Sequence, residues 1–276
     1  VGNALGSGSG KKITLRELQG LYIIWYRDLL RFWRNKGRLL GSFVMPLLFL
    51  VIFGSGIASS MAGLVGGGVA FNYIQFMFPG IIGMVVLTAA IMSGVSIVWD
   101  REFGFLKEVM VAPISRTTVA IGRTLGGATI ATIQGLLMLV FIPFVHISVS
   151  IGQVLLILPL MFIMAFALTA MGILIASRIR SMETFQVIMQ LLLFPMIFIS
   201  PAMFPTQFLP SWLGIAVKIN PVSYAIDSLR QSLTTMPGFG ISIFGHPMSI
   251  AEDVALVALF ALIMVSLAVW SFGRQE

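Results

Sequence analysis

The sequence predicts an all-α, polytopic membrane protein with six transmembrane helices, and three observations carry that reading. Of its 276 residues, 58% are hydrophobic and 10% are charged, with a mean hydropathy of +1.02; soluble domains are about 25% charged. Several uncharged runs reach the roughly 20 helical residues that cross about 30 Å of hydrocarbon. Those runs are continuous, whereas a transmembrane barrel would show short alternating segments. The length leaves little room for a separate soluble domain.

Residues 1–14 read as a flexible N-terminus, because the first ten are small and polar. Gly10-Lys11 lacks the upstream glycine and following Ser or Thr of a phosphate loop, so no nucleotide site is expected there. Residues 15–38 follow as an interfacial amphipathic helix. Stepping 100° per residue puts Tyr22, Trp25, Tyr26, Leu29, Leu30, Phe32 and Trp33 on one face. Arg27, Asp28, Arg31, Arg34, Asn35 and Arg38 fill the other, and Ile23, Ile24 and Lys36 fit imperfectly. Such a helix lies in the membrane plane, rings at headgroup level and arginines toward water and anionic lipid. A nucleic-acid reading of the basic run is weaker, since a span follows directly.

The transmembrane domain covers residues 39–273, with spans at about 39–58, 76–98, 125–147, 151–176, 184–204 and 254–273. Pro195 and Pro201 mark kinks in the fifth. Between the second and third spans lies a loop, residues 100–116, in the most charged stretch away from the N-terminus. Phe103, Leu106 and Met110 recur there at one-face helical spacing. Arg101, Glu102, Lys107 and Glu108 keep the rest polar, and Pro113 closes the segment. This predicts a short amphipathic helix presented to a soluble partner; the alternative is a plain turn.

Residues 205–253 form a helical segment between the last two spans. Asn220-Pro221 is a helix start, with Asn able to cap and Pro at the first position. Val222, Ile226, Leu229 and Leu233 form an apolar stripe, with Asp227 and Arg230 paired on the far side. The segment dips into the outer leaflet or caps the bundle; the alternative is a plain extracellular lid. With both termini on one side, 15 of the 17 lysines and arginines fall there. The positive-inside rule then puts both termini and the 100–116 loop in the cytoplasm of a multi-pass inner-membrane protein. The net charge of +7 is thus topology, and no nucleic-acid partner is expected.

No acidic or basic residue falls inside the six predicted spans. Ion-coupled carriers generally place ionisable groups there, so energy would have to come from outside this chain. Mid-membrane polarity is limited to Gln134, Gln186, Gln190 and scattered hydroxyls, suited to interhelical hydrogen bonds. The absence of cysteine excludes thiolate metal sites. No acid pair or HExxH motif offers an enzyme or metal centre, so no cofactor is expected on this chain.

Four stretches carry a resemblance: LLGSFVMPLLFLVIFG, YIQFMFPGIIG, REFGFLKEVMVAPISR and FLPSWLGIAVKINPVSYAIDSLRQ. Over residues 15–272 the chain resembles the permease subunit of ATP-binding-cassette exporters of the drug, lipid and polysaccharide class (ABC-2 type, type V fold). The resemblance implies a coupling helix at residues 101–112 docking on a separate ATPase subunit, which holds the ATP and magnesium. Arg101, Glu102, Phe103, Leu106, Lys107, Met110 and Pro113 are the residues concerned. It implies a connecting helix that includes Trp25, Arg27, Arg31, Trp33 and Arg34. Outer helices with Asn220, Pro221, Tyr224, Asp227 and Arg230 would close the exit. The working unit would be a homodimer with two ATPases in membrane lipid. A path between the copies would run along the second and fifth spans, past Gln190, Phe194 and Phe198. The substrate would be amphiphilic, lipid-linked, polysaccharide or drug-like. An ATP-independent channel or facilitator stays open as an alternative, as does, further off, a membrane-embedded enzyme.

Overall fold

The computed structural model describes residues 7–64, 73–102, 115–206, 209–234, 240–243 and 245–273, and among these the chain is mostly helical. Helix α1 (Ser7–Arg34) begins inside the segment expected to be flexible, and α2 (Lys36–Leu64) follows after a break at Asn35. The two axes meet at 69°, measured over residues 15–34 and 39–54. Then come α3 (Tyr73–Met92), α4 (Val95–Glu102), α5 (Arg116–Met138) and a short turn that runs into α6 (Ile142–Val145). The last five are α7 (Ile151–Ala176), α8 (Met182–Phe198), α9 (Ser211–Ile219), α10 (Pro221–Leu233) and α11 (Ile250–Gly273). A two-residue hairpin pairs β1 (Ser242–Ile243) with β2 (His246–Pro247) before α11.

Four segments are long and apolar enough to cross a membrane: Tyr73–Glu102, Arg116–Val145, Ile151–Ala176 and Ile250–Ser271. The bent α1/α2 pair makes a fifth when counted as one span. Helix α8, expected to be a sixth over 184–204, has 17 residues, roughly 25 Å at 1.5 Å each. Its α-helical run ends at Phe198 because Pro201 disfavours helix before it. Pro201 has no N–H to offer Ile197 O, and that carbonyl accepts instead from Ser200 N at 3.3 Å and Ser200 Oγ at 2.6 Å.

Helix α7 is the axle. It packs against α3, α5, α10 and α11, which fits a segment apolar on every side. Close approach near its C-terminal end rests on glycine. A Cβ on Gly172 would sit 2.5 Å from Ile91 O, and one on Gly94 2.6 Å from Gly172 O. A Cβ on Gly127 would sit 2.4 Å from Ser93 Oγ. Small residues at helix crossings let membrane helices gain van der Waals contact that lipid cannot supply. Gly172→Ala should therefore push α3 from α7 and cost about 1–3 kcal/mol, as overpacking does. Gly214→Ala is the control, since its Cβ would meet nothing within 4 Å. Thermal unfolding in detergent should separate the two variants; equal midpoints would show that the crossing is loose.

The packing adds two features to the sequence pattern. Helix α10 has no free side, because α3, α7 and α11 surround it, so the pair Asp227 and Arg230 is 0% and 2% exposed. The helices also extend past the predicted span bounds and take in charge there. Helix α5 begins at Arg116 and takes in Arg123, while α11 begins at Ile250 and takes in Asp253, which is fully buried.

Candidate functional site

Two polar clusters lie at opposite ends of the bundle. The first is at the basic end, around the two chain segments that flank residues 103–114. Five of the expected coupling residues, Phe103, Leu106, Lys107, Met110 and Pro113, lie outside the described residues. Arg101 and Glu102 are described, and they close the last turn of α4.

Helix α1 lies along α5 because Gly122 and Gly126 let it approach: a Cβ on Gly122 would meet Ile24 at 3.3 Å, and one on Gly126 would meet Asp28 at 3.2 Å. Ile24, a poor fit to the two-faced wheel, is one of the buried contacts, and Phe32 is another. Trp25 Nε1 donates to Thr129 Oγ1 at 3.0 Å, so that ring is tied to α5. Tyr22, Tyr26 and Trp33 stay exposed as an outward aromatic stripe. The helix therefore has three faces where the sequence suggests two.

The close approach brings Asp28 to Arg123. Arg123, 3% exposed, donates through Nη2 to Asp100 Oδ2 and through Nη1 to Ser96 Oγ at 2.9 Å. Its Nη1 lies 3.7 Å from Asp28 Oδ1. Arg27 reaches the same pair, 3.6 Å from Asp28 and 3.9 Å from Asp100. Two arginines and two aspartates thus form a neutral joint among α1, α4 and α5, buried at Arg123 and Asp100 and open to solvent at Arg27. A buried charge of this kind persists when paired and hydrogen-bonded.

The joint lies between the described segments on either side of residues 103–114. Asp100 precedes the 103–114 stretch and Arg123 follows it. Ser115, directly after that stretch, caps α5 by accepting from Thr118 N at 3.1 Å. Glu17 of α1 accepts from Ser115 N at 2.9 Å, from Ser115 Oγ at 3.0 Å and from Thr118 Oγ1. These donors, the Thr118 hydroxyl first, hold the Glu17 carboxyl below its ordinary range. On the other flank, Arg101 donates to Ile179 O at 2.9 Å and Ser177 O at 3.0 Å. Glu102 accepts from Met182 N at 3.3 Å. Both edges of the stretch are thereby fastened, one to α1 and the other to the turn between α7 and α8.

The second cluster is at the opposite end. Asn220 caps α10, accepting from Val222 N at 3.1 Å, and its Nδ2 donates to Met196 O at 2.8 Å, tying α10 to α8. Pro221 occupies the first helical position. Tyr224 donates to Lys218 O at 2.5 Å. The Arg230 guanidinium lies 4.0 Å from the Phe76 ring centroid and donates to Pro201 O. Its Nη1 is 4.0 Å from Asp227 Oδ1. Asp227 Oδ2 accepts from Ile241 N at 2.8 Å, and Gln231 Nε2 bridges it to Asp253 Oδ2 at 3.2 and 3.1 Å. Helix α10 is pinned by these contacts to α3, α11 and the hairpin segment.

On α8, Gln190, Phe194 and Phe198 share one exposed face, and the two rings stack with centroids 6.2 Å apart. Neither polar cluster touches this face.

The sequence model of one family, described as ABC-2 type transporter, matches residues 19–234. The chain is 30% identical over 227 residues to a protein named as transport permease ycf38 of Porphyra purpurea, covering 80% of this chain and 76% of that one. It is 27% identical over 250 residues to the inner membrane transport permease YadH of Escherichia coli K12, covering 88% of each. Nodulation protein J of Rhizobium leguminosarum bv. trifolii is 24% identical over 248 residues, covering 87% of each.

Proposed function

The chain belongs to the ABC-2 type transporter family, and on that premise we propose that it is an export permease driven by a separate ATPase subunit. The observation that carries this is the fastening of residues 103–114 at both edges, through Asp100–Arg123, Glu17–Ser115 and Arg101 to the 177–179 carbonyls. A plain linker between two spans has no need of a four-charge joint with a buried Arg123–Asp100 pair at its centre. An element that receives force does, because the joint turns movement of the loop into movement of α1, α4 and α5 together.

The loop faces the cytoplasm in this reading, with both termini, and the α10 cluster faces outward. ATP and magnesium are held by the partner. Two copies of this chain flank the path, and the exposed Gln190, Phe194 and Phe198 face of α8 lines it. Closure of the ATPase pair shifts the population from an inward-open to an outward-open arrangement. The cargo is amphiphilic: lipid-linked, polysaccharide or drug-like. The rival reading is an ATP-independent channel or facilitator, in which residues 103–114 only connect two spans.

The test is a mild-detergent pull-down of the chain from its native membranes, with mass spectrometry of what accompanies it. A P-loop ATPase at about one copy per copy is the expected result, following the two-plus-two assembly proposed above. A folded, dimeric chain with no ATPase, together with flux through reconstituted vesicles without ATP, would overturn the proposal.

A further inference from the structure

Where α1 bends into α2, Arg27, Arg31, Arg34 and Lys36 converge with Leu30 and Asn35 around an open cavity of about 800 Å³. The first three recur at i, i+4 and i+7 and so share one helical face; Lys36 joins them from across the break. Among the described residues only Arg27 of the four lies within ion-pair distance of a carboxylate, at 3.6 Å from Asp28 and 3.9 Å from Asp100. Arg31, Arg34 and Lys36 have no such carboxylate among the described residues, and like charges gathered around one concavity repel one another. That cost falls if an anion occupies the cavity. The planar fork of arginine fits the oxygens of a phosphate two at a time.

The position of the cavity says where that phosphate comes from. Tyr26 and Trp33 are exposed on α1 beside it, and Leu40, Val44 and Met45 are exposed on the first turns of α2 beyond it. Exposed rings followed by exposed aliphatic side chains mark the boundary between headgroups and hydrocarbon. We infer that this cavity binds the phosphate headgroup of an anionic membrane phospholipid. Arg27 belongs to both this cavity and the Asp28–Asp100–Arg123 joint, so lipid held here bears on the element that flanks residues 103–114. The binding itself does not depend on the exporter reading.

The test uses the full chain, delipidated in detergent and titrated with phosphatidylglycerol or phosphatidylcholine, with bound lipid counted by native mass spectrometry. Phosphatidylglycerol should be retained about ten-fold more strongly than phosphatidylcholine, a difference of about 1.4 kcal/mol. Arg31→Gln with Arg34→Gln should abolish that preference and leave phosphatidylcholine retention unchanged. Arg31→Lys with Arg34→Lys, which keeps the charge and loses the fork, should weaken phosphatidylglycerol retention partly; it decides the matter if the glutamine variant does not fold. Equal retention of the two lipids, or unchanged retention in the variants, would overturn the inference. Displacement of phosphatidylglycerol by excess inorganic phosphate would overturn the lipid source and assign the cavity to free phosphate.

Discussion

Replacing Arg230 with methionine is expected to destabilise the protein by about 3–5 kcal/mol, the cost of leaving a buried charge without its partner. Arg230 is 2% exposed, and Asp227 beside it is 0% exposed. Without the guanidinium, Asp227 keeps only Ile241 N and the shared Gln231 amide, and Asp253 shares that same amide. Phe76 and Pro201 O lose their contact as well. Asp227→Asn added to Arg230→Met should recover most of the loss, since it removes the orphaned charge. Unfolding of the detergent-solubilised protein, followed as a double-mutant cycle, measures the coupling. A single-variant loss within about 1 kcal/mol, the range of a surface ion pair, would mean that solvent reaches the cluster.

Arg123→Lys should lower transport by about ten-fold while the protein still folds. Lysine keeps the charge but is a point donor on a flexible stem, so it cannot hold several acceptors in the fixed geometry of a guanidinium. In the native chain that geometry serves Ser96, Asp100 and Asp28 at once. With a loose joint, α4 and α5 would move without α1. A lowered turnover rate at unchanged substrate affinity is the expected signature. Unchanged transport would reduce the joint to a structural role.

Periodicity in the sequence already locates α1, the Asn220-Pro221 start of α10 and the apolar segments, because each is a local property of ten to twenty residues. What it leaves out are neighbours. The helical wheel puts Asp28 on a polar face and leaves Ile24 as a misfit, yet both meet α5, since Gly122 and Gly126 make room there. Nothing in the local pattern says that Asp100 finds Arg123, or that Glu17 finds Ser115 some 98 residues on. The stripe Val222, Ile226, Leu229 and Leu233 identifies one buried face of α10, but burial of the opposite face depends on three other helices. An apolar stripe implies a partner on one side only; a second partner on the polar side leaves a signal only in the charges, as the i, i+3 pair Asp227 and Arg230. Length misleads in the fifth span, where composition continues past Pro201 and the helix does not.

The central claim is that residues 103–114, fastened at both edges, carry force from an ATPase into the bundle. The most direct measurement is ATP-driven transport, with partner-stimulated ATP hydrolysis, in vesicles holding the permease and its ATPase. Glu102→Arg with Phe103→Asp reverses the charge at the last residue of α4 and the polarity at the first residue of the loop, and leaves the apolar part of every span unchanged. This variant is expected to insert and fold normally, lose transport, and no longer stimulate the ATPase. Transport at the native rate in that variant would contradict the central claim.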